Sequence, residues 1–103
     1  MPKVIGMVAR LSSEKSQGLL VHAFTHVLRE HPTASLHLIG SGFLRPYLEE
    51  LAWHLLGDAS SRVKFLGTLV GSDLVHALED LDVLVRFMIA LHSFVIFRST
   101  LPA

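Results

Sequence analysis

Arg10 and Lys15 stand five residues apart, with Ser12 and Ser13 between them and a helical pattern just beyond. Two cations beside the free backbone N–H groups of a helix N-terminus suit a diphosphate, which accepts charge-assisted hydrogen bonds from both. On spacing alone, two solvated loop cations is the simpler account. A second candidate is Gly40-Ser41-Gly42, a strand-to-helix turn of the kind that lets a backbone approach a ligand. It lacks the third glycine of a dinucleotide-binding turn, and most such turns are only turns. His22 and His26 have an i,i+4 spacing that suits a metal. No Glu lies between them in the zincin manner and no third ligand is apparent, so a solvated helix face is the simpler reading and no metal is expected. Nothing resembles a nucleophile elbow, a Walker loop or paired catalytic carboxylates, so no catalytic residue is singled out.

Composition narrows the classes. At 103 residues the chain is one domain. Half of its residues are hydrophobic and 17% are charged, which excludes a disordered linker. Nine Lys and Arg balance nine Asp and Glu, so no basic excess exists to neutralise a run of phosphates and a duplex nucleic-acid partner is not expected. The absence of Cys excludes a disulfide framework, a thiolate zinc site and a cysteine nucleophile. The first apolar run, Val4-Ile5-Gly6-Met7-Val8, is too short for a secretory signal. The most apolar stretch, residues 87–97, falls short of the roughly 20 residues of a membrane span. The expectation is a cytoplasmic α/β protein with no membrane span.

The elements that must position the candidates follow from periodicity. Residues 4–8 are a nearly continuous apolar run, as in a strand buried on both faces. Residues 9–16 read as a loop. Leu20, Phe24, Val27 and Leu28 give a helix over 17–30, with Ser16 as its N-cap and His31-Pro32 ending it. Leu36-His37-Leu38-Ile39 is a second strand. A second helix spans 44–56, with a stripe of Leu44, Leu48, Leu51 and Leu55, an Arg45–Glu49 pair on its wet face and Gly57 as its C-terminal cap. Residues 62–66 form a third strand ended by Gly67. Ser72 caps a short helix to about residue 79, and Asp82-Val83-Leu84-Val85 begins a fourth strand. The alternation predicts a doubly wound sheet with parallel strands, right-handed crossovers and no hairpin. Ligands bind such sheets at the carboxyl ends of the strands, where residues 9–16, 40–43 and 67–72 lie.

Taken together, these segments resemble a known family. Val4-Ile5-Gly6-Met7-Val8-Ala9-Arg10-Leu11, then Lys15, is similar to the strand and G-R-L-x-x-x-K-G loop of retaining glycosyltransferases of GT-B architecture, in the glycogen-synthase-like and sucrose-synthase-like group. The resemblance continues in register through His31-Pro32, Leu36-His37-Leu38-Ile39-Gly40-Ser41-Gly42, the helix at 44–51, Arg62-Val63-Lys64-Phe65-Leu66-Gly67, and Ala77-Leu78-Glu79-Asp80-Leu81-Asp82-Val83-Leu84-Val85. It implies the first half of a C-terminal donor-binding domain: a Rossmann-like parallel sheet with helices on both faces, incomplete. It further implies that Arg10 and Lys15 grip the donor diphosphate, that Lys64, Phe65, Leu66 and Gly67 lie along the nucleobase, and that Gly40 and Gly42 line the cleft. The donor would be a nucleotide-diphosphate sugar, used with retention and without an obligatory metal or other cofactor.

The departures from the family pattern are also specific. Ala9 and Ser16 stand where the family has glycine. After Val85 the family continues with Pro-Ser and an E-G-x-G loop, then a second Glu; here Arg86-Phe87-Met88-Ile89 follows, with no Asp or Glu after Asp82. Residues 1–85 are therefore expected to be part of a nucleotide-sugar-binding domain, lacking its N-terminal acceptor-binding partner. Residues 86–103 read as a divergent tail from a frameshift, a retained intron or a mis-assigned gene end. The alternative for the tail is a divergent strand that completes a small sheet. Such a chain is expected to be inactive alone. Two other readings stay open: a non-catalytic α/β module of flavodoxin-like shape that binds a nucleotide or a protein, and a translation product with no stable fold.

Overall fold

A computed structural model describes residues 3–11, 14–88 and 93–98, with residues 14–16, 86–88 and 93–98 described by their backbone alone. The elements are β1 (Val4–Val8), α1 (Glu14–Glu30), β2 (Ser35–Ile39), α2 (Arg45–Leu56), a 3₁₀ turn (Gly57–Arg62), β3 (Val63–Gly67), α3 (Gly71–Glu79), β4 (Val83–Met88) and β5 (Ser93–Arg98). They build one sheet in the order β3-β2-β1-β4-β5. β1 to β4 are parallel, and β1 pairs with β2 from Val4↔Ser35 to Val8↔Ile39.

The chain runs outward from β1 to β3 and then returns through α3 to the other side of β1. With right-handed crossovers, that reversal sets α1 and α2 on one face and α3 on the other. The core lies mainly between the sheet and the first face. Met7, Leu36 and Leu38 meet Leu20, Val21 and Phe24 of α1 and Ala52 of α2. Burying a side chain the size of Phe24 contributes about 1.5–3 kcal/mol. α3 contributes no fully buried residue. β1 holds a glycine at its centre because a β-carbon on Gly6 would collide with the side chain of Leu81, which is buried against it. Asp82 ties the same strand down: its Oδ2 accepts from the Val4 N–H at 2.8 Å, and its own N–H donates to the Val4 carbonyl at 2.8 Å.

Three expectations are corrected. α1 begins at Glu14, so Ser16 lies inside its first turn and is not its N-cap. α3 begins at Gly71, whose φ of 59° turns the chain into the helix, and no side chain caps it, so Ser72 is not the cap. The sheet is not wholly parallel: β5 runs antiparallel to β4, from Val83↔Arg98 to Met88↔Ser93. Only residues 89–92 separate the two strands, whereas a parallel return needs a dozen or more residues. The Gly57 cap is observed, with φ 57° and its N–H donating to the Trp53 carbonyl.

Candidate functional site

β1, β2 and β3 end side by side, and a cleft of about 490 Å³ opens over their carboxyl ends. Val8, Ala9 and Arg10 form one wall where β1 gives way to its loop. Gly40, Ser41 and Gly42 form the floor after β2, and Thr68 and Leu69 close the far side after β3. This is the end of a parallel sheet at which successive strands stop and loops diverge, leaving room for a ligand.

The loop after β1 is clasped to the turn after β2, backbone to backbone. Ala9 N–H donates to the Ile39 carbonyl at 3.0 Å and Leu11 N–H to the Ser41 carbonyl at 3.0 Å. The Leu11 carbonyl accepts from Leu44 N–H at 2.9 Å. The two glycines exist for this contact. A β-carbon on Gly40 would run into the Ala9 carbonyl oxygen, and Gly40 also has a φ of 139°. Gly40 N–H in turn donates to the Gly67 carbonyl at 2.8 Å, tying the turn after β2 to the end of β3.

Among the sequence-derived candidates, Arg10, Gly40 and Gly42 meet at the cleft. Arg10 is exposed there. Lys15 falls in the first turn of α1, and its side chain lies outside the described residues. Lys64, Phe65, Leu66 and Gly67 are not among the residues that line this cavity. Alternation along β3 explains this. Phe65 turns inward against the core, 5.7 Å beneath the Arg45 guanidinium, while Lys64 and Leu66 face outward. Gly67 supplies only its carbonyl, and the cleft takes the next two residues instead. Arg45 also donates to the Phe65 carbonyl at 3.4 Å and pairs with Glu49 at 3.6 Å, the expected pair.

Sequence reasoning missed the hydroxyl pair that joins the cleft floor to its far side. Ser41 Oγ and Thr68 Oγ1 lie 2.8 Å apart, both exposed. The signal was their place within two residues of the ends of β2 and β3. His22 and His26 are both exposed on α1, and among the described residues no three His, Asp or Glu side chains converge to hold a metal. His37, away from the cleft on β2, is held below the ordinary imidazole value by burial first and then by Lys64, its partner on β3, with Asp80 opposing. Among the described residues no helix is long and apolar enough to cross a membrane.

The family model described as "Glycosyl transferases group 1" matches residues 2–93. The chain belongs to that family. The match passes residue 85, where the family motifs cease to be legible, and takes in β4. The GDP-mannose-dependent monoacylated alpha-(1-6)-phosphatidylinositol monomannoside mannosyltransferase of Corynebacterium glutamicum is 36% identical over 80 residues, 78% of this chain and 20% of that protein. An uncharacterized glycosyltransferase of Methanocaldococcus jannaschii is 36% identical over 83 residues, 81% of this chain and 20% of that protein. The chain thus spans about a fifth of the length of these relatives. Among solved structures, a mutant of S. aureus TarM in complex with fondaparinux, alpha-GlcNAc-glycerol and UDP superposes with a TM-score of 0.69 at 18% identity, over 80% of this chain and 16% of TarM. A second TarM structure gives a TM-score of 0.67. The parallel strands and their helices are a Rossmann-like part of a GT-B glycosyltransferase.

Proposed function

We propose that the cleft binds the diphosphate of a nucleotide-sugar donor, as part of the donor-binding domain of a glycosyltransferase that moves the sugar to an acceptor with retention. The observation that carries this reading is Arg10. In a chain of this family, it stands exposed on the cleft wall while the residues on either side of it, Ala9 and Leu11, are bound to Ile39 and to the turn after β2. A cation on a rigid base loses little freedom when it meets an anion, and it stabilises charge that builds on a leaving diphosphate. Lys15 adds a second cation from the first turn of α1, where backbone N–H groups also favour negative charge. Ser41 and Thr68 offer hydroxyls that accept or donate to phosphate or sugar oxygens. The reading includes no obligatory metal. One relative is named as GDP-mannose-dependent and one TarM structure holds UDP, which supports a nucleoside diphosphate as the shared part of the ligand.

Residues 1–85 supply this binding function in the proposal, and the 103 residues by themselves bind donor without transferring it. Amide NMR spectra of the labelled chain, titrated with UDP, GDP and ADP, test the placement. The proposal expects one of them to shift the amides of Arg10, Gly40 to Gly42, Thr68 and Leu69 saturably, with α3 unmoved. Shifts confined to another face, or none with any of the three, would overturn it.

A further inference from the structure

Gln17 is a polar residue in the wrong place for packing. It lies in the second turn of α1 and is 1% exposed, the only buried polar side chain among the described residues. Its Nε2 donates to the Arg10 carbonyl at 2.7 Å, across seven residues. Its Oε1 is buried with no hydrogen-bond partner among the described residues. An unpaired buried acceptor is unfavourable, and a Met or Leu at this position would fill the space without it. What an amide supplies there, and an apolar side chain does not, is a donor to one particular carbonyl.

That carbonyl belongs to the one residue of the loop that presents a cation to the cleft. The flanking residues are already fixed, because Ala9 N–H is bound to Ile39 and Leu11 N–H to Ser41. The Arg10 carbonyl and the Leu11 N–H are two edges of one planar peptide, so Gln17 holds the carbonyl edge while Ser41 holds the N–H edge, and together they fix the direction in which the Arg10 side chain leaves the backbone. We propose that Gln17 is a positioning residue for anion binding, holding Arg10 over the cleft through the Arg10 carbonyl. The inference rests on the donor-diphosphate reading above.

The test is a double-mutant cycle in the full chain, using whichever of UDP, GDP or ADP binds the wild type. Q17M, close in volume and free of the oxygen that has no partner among the described residues, weakens binding by about five- to tenfold while its melting temperature does not fall. R10A weakens binding, and R10A with Q17M binds no more weakly than R10A alone, because Gln17 acts only through Arg10. Q17N, which stays polar but is one methylene too short to reach, shows the same loss and carries the test if Q17M does not fold. Wild-type affinity in Q17M or Q17N, or a Q17M penalty that persists undiminished on R10A, would overturn the inference while leaving the donor reading intact. Failure of the wild type to bind any of the three would overturn the donor reading and this inference with it.

Discussion

A β-carbon on Gly42 would stand 2.5 Å from the carbonyl oxygen of Leu11 and 2.7 Å from its carbonyl carbon. The turn after β2 therefore presses directly on the loop after β1, and a side chain on either glycine must push two backbones apart. Gly42→Ala and Gly40→Ala are each expected to destabilise the chain by about 1–3 kcal/mol. At this size that is roughly 4–8 °C of melting temperature per kcal/mol, readable in a thermal melt followed by circular dichroism.

The opposite sign is expected at Gly18. It sits within α1, where a β-carbon would meet Leu51 Cδ2 at 3.7 Å, an ordinary contact. Glycine inside a helix costs roughly 0.5–1 kcal/mol relative to alanine, so Gly18→Ala raises the melting temperature. The pair of outcomes at Gly42 and Gly18 separates glycines required by close approach from one that is not.

His37 makes stability depend on pH. Burial, then Lys64, holds its folded value below the ordinary one, with Asp80 opposing. The unfolded chain thus binds the proton more readily than the folded chain. The contribution is complete above the unfolded value of about 6.5, is lost as pH falls through it, and levels off below the folded value. His37→Gln is expected to flatten that part of the profile, which urea midpoints measured from about pH 5 to pH 8 will show against the wild type.

The parallel core of the fold was legible because each strand and helix carries its own period: Val4 to Val8 in the middle of the sheet, Leu20 and Phe24 on α1, Leu48 on α2. What was not legible depends on contacts between distant segments. Gly40 and Gly42 looked open to a ligand, yet their glycine is required by Ala9 and Leu11 of the chain itself. Gln17 looked like a helix entry residue, and only its contact with Arg10 reveals its burial. The place of Phe65 beneath Arg45, and of Thr68 and Leu69 on the cavity wall, follows from strand alternation and from contacts that a motif does not show. The first turn of α1 carries no apolar stripe, so its start was placed three residues late.

Calorimetric titration of the folded chain with UDP, GDP and ADP, beside the double variant R10A with K15A, tests the central claim that this cleft holds a donor diphosphate. Charge-assisted hydrogen bonds of about 1.5–3 kcal/mol each predict saturable binding of one nucleotide by the wild type and at least tenfold weaker binding by the variant. Equal affinity in the two chains, or no binding to a folded wild type, would contradict it.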